Sequence, residues 1–192
     1  IVADKSSNPE WLASDLLGQA EHDQLAQCIL ISKDKNMLEK TKKEVFEQLK
    51  NLPRSSIAKK SLMMNGILIY ANSDKKILEI TNKIGPEHLE LNVKNYKSFV
   101  AKIKNAGSVC LGKYAVMAMT DYGAPGSNHV LPTDSSSKYS SGLNVSEFMK
   151  KISYITLSKK GIDKLGPSVI TLANYEGLQG HAQSIVKRIR RK

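Results

Sequence analysis

The sequence predicts an α/β fold with a parallel sheet, followed by a small and mainly helical C-terminal tail. Apolar runs of strand length alternate with amphipathic segments of helix length along the first 112 residues, as in a parallel sheet covered by helices. A long stretch rich in Gly, Ser and Pro, residues 121–144, then separates this region from a tail with three helical patterns.

The first predicted helix covers residues 8–24. Asn8 can cap its N terminus, Pro9 suits its first position, and Glu10 suits its first turn. The apolar run AQCILIS then predicts a buried strand over 26–32.

Helices and strands continue to alternate up to residue 112. An amphipathic helix that ends at Pro53 and a short polar helix precede the strand GILIYA. A helix capped by Ser73 precedes the short strand HLEL, and a helix closed by Gly107 leads to the strand SVCLG. These elements are expected at 36–53, 55–64, 66–71, 73–84, 88–91, 93–107 and 108–112.

The tail is expected to hold one strand and three helices. The strand is SYITL, at 153–157, and the helices cover 145–151, 166–177 and 178–192. The two expected domains are an α/β domain at 1–137 and a tail domain at 138–192.

The composition is that of an ordinary globular protein, with 41% hydrophobic and 24% charged residues among 192. The apolar runs are too short to cross a bilayer and no signal-peptide pattern is visible, so we expect a cytoplasmic location and no membrane partner. Cys28 and Cys110 lie in strand-like runs and are predicted to be buried thiols.

The net charge of +11 raises nucleic-acid binding as an alternative function. Five of the last six residues, KRIRRK, are basic, but cations at the C terminus of a helix also suit the helix dipole. No aromatic residues interleave with the basic ones, as a single-strand binder would require. We therefore expect no nucleic-acid partner.

All four histidines lie in short polar clusters. Gln19 and His22 are three residues apart on the first predicted helix, so their side chains can converge on one point as metal ligands. A solvent-facing polar stripe at a helix end is the alternative, and the spacing alone favours it.

The segment IGPEHLE places Glu87 directly before His88. Histidine titrates near neutral pH and suits proton abstraction, and the glutamate can act as a second base. Neighbouring side chains on a strand point to opposite faces, so the pair can serve one site only where the strand ends or bends, as Pro86 allows. An exposed strand tip explains the pair equally well.

Two further clusters lie in the second half. DYGAPGSNH joins Asp121 to His129 through a glycine-rich loop, which can carry ligands or form a plain surface turn. Glu176 and His181 are five residues apart, and a break at Gly177 would help to bring them together. Two histidines, an aspartate and a glutamine would make a zinc site with nitrogen and oxygen ligands, provided that these segments meet.

Four stretches, in this order, resemble the histidinol dehydrogenase family: NPEWLASDLLGQAEHD, IGPEHLEL, DYGAPGSNHVLPT and EGLQGHA. The resemblance implies an NAD-dependent, two-step oxidation of L-histidinol through L-histidinal to L-histidine at a zinc site, the last steps of histidine biosynthesis. It implies Glu87 and His88 as catalytic acid/base residues. The implied zinc ligands are Gln19, His22, Asp121 and His181. The implied substrate contacts are Gln19, His22, His88, Asp121, His129, Glu176 and His181.

The match to this family departs from its pattern in two ways. The loop between Asp121 and His129 is one residue longer than the usual spacing. Only the C-terminal half of the family is matched, so the sheet is expected to be half of a Rossmann-like domain. No G-x-G-x-x-G turn occurs in the sequence, and cofactor-binding residues are expected outside this chain. The chain alone should therefore bind NAD poorly and be inactive.

The resemblance also implies an assembly. Family members are homodimers in which the tail domain reaches into the active site of the partner, so Glu176 and His181 are expected to act across a dimer. The alternative is a non-catalytic fragment of such an enzyme that binds zinc or dimerises.

Overall fold

The computed structural model describes residues 1–123 and 128–189. The chain divides into two compact units, Ile1–Glu147 and Phe148–Lys192. This division lies after Glu147, whereas the sequence suggested a boundary between residues 137 and 138.

The first unit is built on a five-stranded, entirely parallel sheet with the strand order β3-β2-β1-β4-β5. The chain starts in the centre and winds outward in both directions, which is the order of a Rossmann-like sheet. The predicted α/β fold is therefore confirmed. The strands are β1 (Val2–Ala3), β2 (Ile29–Ser32), β3 (Ile67–Tyr70), β4 (His88–Asn92) and β5 (Ser108–Leu111).

Six helices belong to this unit among the described residues, and local signals fix where several of them start and end. The side chains of Asn8 and Asp34 accept hydrogen bonds from the first turns of α1 and α2. Gly85 ends α4 in the left-handed region, with φ at 61°. The helices are α1 (Pro9–Ala20), α2 (Lys35–Leu49), α3 (Ser55–Asn65), α4 (Asp74–Ile84), α5 (Lys97–Val100) and α6 (Met117–Tyr122).

Two hydrophobic cores lie on the two faces of the sheet. Helices α1, α2 and α3 close the first core, in which Leu12 and Leu30 are fully buried. Helices α4 and α5 help to close the second, with Ile77, Leu91 and Phe99 at its centre. Burial on both faces explains the apolar run of the inner strand β2, whereas the edge strand β3 is apolar but largely exposed.

The second unit contains two helices, α7 (Lys159–Tyr175) and α8 (Gln179–Ile189). They pack closely at Gly166, where an added Cβ would lie 2.9 Å from Cγ2 of Ile185 and 3.1 Å from Cγ2 of Ile189. Helix α7 starts earlier than expected, because Ser158 caps it and Pro167 lies inside it rather than at its start. No helix in the described part of the chain is long and apolar enough to cross a membrane.

Three predicted elements are wrong. Residues 153–157 form no strand, because no neighbouring strand of the described tail offers them a hydrogen-bond ladder. The helix expected at 145–151 is a 3-10 turn, Val145–Phe148. The helix expected at 93–107 is reduced to α5, since the side-chain oxygen of Asn82 accepts hydrogen bonds from the N–H groups of Lys104 and Asn105. Those two N–H groups are then unavailable for a continued helix.

Candidate active site

A cavity of about 510 Å³ lies at the amino ends of β1, β2 and β4. Rossmann-like sheets usually bind ligands at the opposite edge, beyond the carboxyl ends of the strands. The position of this cavity therefore does not follow from the fold class, and its chemistry must be argued from its side chains. The polar residues that line it include Asp15, Gln19, Glu87, His88 and Glu90.

Glu87 and His88 both line this cavity, Glu87 just before a strand and His88 as its first residue. Strand β4 begins at His88, and Glu87 lies in the bend before it, so the condition for their acting together is met. Oε1 of Glu87 lies 3.9 Å from Nε2 of His88. The His88 side chain is 14% exposed, and its Nδ1 is buried with no hydrogen-bond partner among the described residues. One imidazole nitrogen thus lies near a carboxylate, and the other is buried without a hydrogen-bond partner in the described part of the chain.

Gln19 and His22 lie at the end of α1, but in different surroundings. Gln19 is in the last turn of the helix and lines the cavity. The helix ends at Ala20 rather than at residue 24, and the exposed His22 lies in the turn that follows. The backbone N–H of His22 donates a hydrogen bond to the Gln19 carbonyl. The structure does not place His22 in the cavity lining, and its role as a ligand stays a prediction.

Asp121 and His129 come together across the glycine-rich segment. Oδ1 of Asp121 lies 3.8 Å from Nδ1 of His129, and the exposed fractions of their side chains are 7% and 67%. Residues 124–127, which include most of that segment, lie outside the described residues. A buried carboxylate facing an exposed imidazole is compatible with a ligand next to a substrate contact, and also with a structural pair.

Glu176 and His181 both belong to the second unit and are exposed. Glu176 is the C-cap residue that directly follows α7, and His181 lies in the first turn of α8. Between them Gly177 adopts a φ of 74°, so the expected break in the helix at this position is present.

The described residues do not form a complete metal site. Within 1–123 and 128–189, no group of three His, Cys, Asp or Glu side chains is arranged to hold a metal ion. Three of the four predicted zinc ligands, Gln19, His22 and Asp121, belong to the first unit, and His181 belongs to the second.

The sequence reading missed two carboxyl groups of the cavity, Asp15 and Glu90. Each has one buried oxygen without a donor among the described residues, Oδ2 of Asp15 and Oε2 of Glu90. The two side chains are within hydrogen-bonding reach of each other. A proton held by Asp15 would let it donate to Glu90 and satisfy both oxygens. The available signal was the Glu in HLEL, a charge between two buried leucines of a central strand.

Burial shapes the titration of this region. Burial, and then the neighbouring Glu90 carboxylate, raise the pKa of Asp15 to about 7. Burial also raises the pKa of Glu90. Cys28 and Cys110 are buried free thiols, as predicted, and burial raises the pKa of each to about 11. For Cys110, the carboxylates of Glu90, Asp121 and Asp15 contribute to this rise of the pKa after burial.

The raised pKa of Asp15 makes stability depend on pH. Between the unfolded value of 3.8 and about 7, the folded chain binds more protons than the unfolded chain, so the free energy of unfolding should fall as pH rises through this window. Asp15→Asn should reduce this fall in the free energy of unfolding by roughly 1–2 kcal/mol. This is less than the full pKa shift of Asp15 would give, because solvent reaches part of its side chain. Denaturant unfolding at several pH values measures it, with the exposed Glu79→Gln as control.

Other ionisable groups near this carboxyl pair are His88 and Cys110. If Asp15→Asn and wild type lose stability in parallel between about pH 4 and about pH 7, Asp15 is not the group that titrates in this window.

Comparisons with known proteins match the whole of the described chain. The family model for histidinol dehydrogenase matches residues 1–189. Histidinol dehydrogenase from Pelagibacter ubique is 73% identical over 192 residues, covering 100% of this chain and 45% of that protein. The enzyme from Listeria monocytogenes is 44% identical over 185 residues, covering 96% of this chain and 43% of that protein.

A solved structure agrees with the sequence comparisons. The crystal structure of histidinol dehydrogenase from Elizabethkingia anophelis superposes with a TM-score of 0.83 at 39% identity, covering 98% of this chain and 43% of that chain. The present chain spans less than half the length of these relatives. Because the family model matches nearly every residue and the fold agrees, this chain belongs to the histidinol dehydrogenase family.

Proposed function

We propose that this chain supplies the catalytic bases and the zinc ligands of an enzyme that oxidises L-histidinol through L-histidinal to L-histidine. The observation that carries the proposal is the placement of Glu87 and His88 on one cavity together with Gln19. The 73% identity to a histidinol dehydrogenase supports the choice of substrate.

The side chains of the cavity divide the proposed work between two bases. His88 is little exposed, and one of its nitrogens has no partner among the residues that the structure describes; it would take the proton of the substrate hydroxyl as the first oxidation proceeds. Glu87 lies in the bend before β4, and its side chain is 31% exposed. It would remove a proton from a water molecule, which would then attack the aldehyde. When bound, zinc would orient the substrate and NAD would accept the hydrides.

Zinc is supported by the kinds of donor rather than by a complete cluster. Gln19, His22 and Asp121 offer one amide oxygen, one imidazole and one buried carboxylate, a set that suits zinc. A fourth donor is needed, and we propose that His181 supplies it from the tail of a partner chain. The residues of the first unit thus fit zinc in chemistry, and the set is completed in the dimer.

The surface of the second unit supports a dimer. Its described residues expose several large apolar side chains, among them Tyr154, which is 90% exposed, and Tyr175, also 90% exposed. Surfaces of this kind usually mark a contact with another protein. We propose that the tail domain reaches across a homodimer and brings Glu176 and His181 to the partner's cavity. The exposed apolar residues from Phe148 onward are Phe148, Met149, Ile152, Tyr154, Ile155, Leu157, Leu165, Val169, Leu172, Tyr175 and Leu178.

The contacts to NAD belong, in this proposal, to the part of the relatives that the chain does not cover. The chain spans 45% of the Pelagibacter ubique protein. A cytoplasmic location, as for a biosynthetic enzyme, and the absence of nucleic-acid and membrane partners stay predictions.

A reconstitution assay tests the proposed function. The chain is co-expressed with the part of the Pelagibacter ubique relative that it does not cover, and NADH production from histidinol is followed. We expect turnover from the combination and none from either part alone. If a folded combination binds zinc but never produces NADH, the chain is a non-catalytic zinc-binding or dimerisation fragment.

A further inference from the structure

We infer that Glu90 is a positioning residue of this site, which holds α6 against α1 through the backbone of Met117 and so sets where Asp121 lies relative to Gln19. The inference rests on the proposed function only for the roles of Asp121 and Gln19. Glu90 itself is assigned no contact with substrate, cofactor or metal.

The first step is the contact between Glu90 and α6. Oε1 of Glu90 accepts a hydrogen bond of 2.9 Å from the Met117 N–H. Met117 is the first residue of α6, and Val116 before it makes no side-chain capping hydrogen bond. The Glu90 carboxylate from the neighbouring sheet therefore takes the place of a local cap. Since Glu90 is only 5% exposed, this charge-assisted bond is shielded from water.

The second step is the contact between Met117 and α1. Met117 is 8% exposed, and an added Cβ at Gly18 would lie 3.8 Å from Cε of its side chain. Gly18 directly precedes Gln19. One residue, Met117, thus has its backbone fixed by β4 and its side chain packed on α1.

The third step concerns Asp121, which lies on α6. Asp121 is four residues after Met117 on α6, and its side chain is 7% exposed. A helix of six residues has few contacts of its own, so the anchor at its first residue controls the position of its last turn. Glu90 therefore connects the two elements on which Gln19 and Asp121 lie.

The remaining carboxyl oxygen of Glu90 explains why a glutamate occupies this position. Oε2 is buried within reach of Asp15, a residue of α1. One side chain of β4 thereby binds α6 through Oε1, while its other oxygen, Oε2, is buried near the Asp15 carboxyl of α1. A residue that served packing alone, such as Leu89 or Leu91 on either side, would make neither contact.

The test compares two substitutions of similar size. Glu90→Gln keeps an oxygen that can accept from Met117 and adds an amide that can donate to Asp15, whereas Glu90→Met fills the space without either group. Amide hydrogen exchange at Met117 is measured in the full chain. We expect Glu90→Met to speed exchange roughly tenfold or more and Glu90→Gln to remain within about twofold of wild type. Zinc binding should weaken roughly tenfold in Glu90→Met only.

The exposed Glu79→Met, on α4, serves as the control for a general loss of stability. If Glu90→Met does not fold, Glu90→Asp replaces it, since the shorter carboxylate cannot keep both contacts. Exchange at Met117 that stays at the wild-type rate in the folded variant would overturn the inference, as would equally fast exchange in Glu90→Gln. A wild-type chain that binds no zinc would count against the proposed function, while the exchange comparison would still decide the role of Glu90.

Discussion

Glu87→Gln in the reconstituted enzyme should lower the yield from about two to about one NADH per histidinol, with the aldehyde accumulating. Glutamine keeps the size and polarity of the side chain but cannot take a proton from water, so the second oxidation should stop while the first continues. The structure favours this division because Glu87 is the more exposed of the pair and lies in the bend before β4. NADH absorbance with an aldehyde trap measures the effect.

His88→Gln should have the larger effect on rate, because the first oxidation needs His88 before the second can begin. We expect kcat to fall by roughly 10²–10⁴-fold, the usual contribution of a general base, with a smaller change in KM. Glu79→Gln, an exposed residue of α4, is the matched control and should leave the rate unchanged. A wild-type rate in His88→Gln, or two NADH in Glu87→Gln, would remove these residues from the proposed roles.

Asp121→Ala should remove most of the zinc from the reconstituted enzyme, whereas His129→Ala should retain it. The two side chains face each other at 3.8 Å, but Asp121 is buried and His129 is largely exposed. A buried carboxylate suits a ligand, while an exposed imidazole suits a contact with a substrate that comes and goes. Elemental analysis after gel filtration should give about one zinc per chain for His129→Ala and close to none for Asp121→Ala.

His129→Ala should instead weaken histidinol binding, which isothermal titration measures on the same preparations. Equal zinc loss in both variants would show that the Asp121–His129 pair acts as one unit. Zinc retained in Asp121→Ala would exclude this carboxylate as a ligand.

The fold could be predicted where the signals were local. Asn8 and Pro9 marked the start of α1, and Ser73 marked the start of α4. The predicted strand at 153–157 is wrong because β-branched and aromatic residues favour a strand only where a neighbouring strand completes the hydrogen-bond ladder. The sequence does not show whether such a neighbouring strand exists. The predicted helix at 93–107 is wrong because the side chain of Asn82, distant in sequence, accepts hydrogen bonds from the backbone of that segment.

The candidate site was predictable to a similar extent. Pro86 marked a strand end, and the structure shows Glu87 and His88 on one cavity at that end. The spacing of Gln19 and His22 could not show that α1 ends between them. Asp15 and Glu90 were missed because the burial of a charge depends on which helices cover the strand, and only tertiary packing decides that.

The most direct test of the account is the zinc content of the reconstituted enzyme, wild type beside His181→Ala, during dialysis against a chelator with and without histidinol. The account predicts about one zinc per chain in wild type, held more tightly when histidinol is present, and loss of both properties in His181→Ala. That result would place a tail residue, the metal and the substrate in one site. Zinc that is retained equally in both proteins and is unaffected by histidinol would contradict the proposed site.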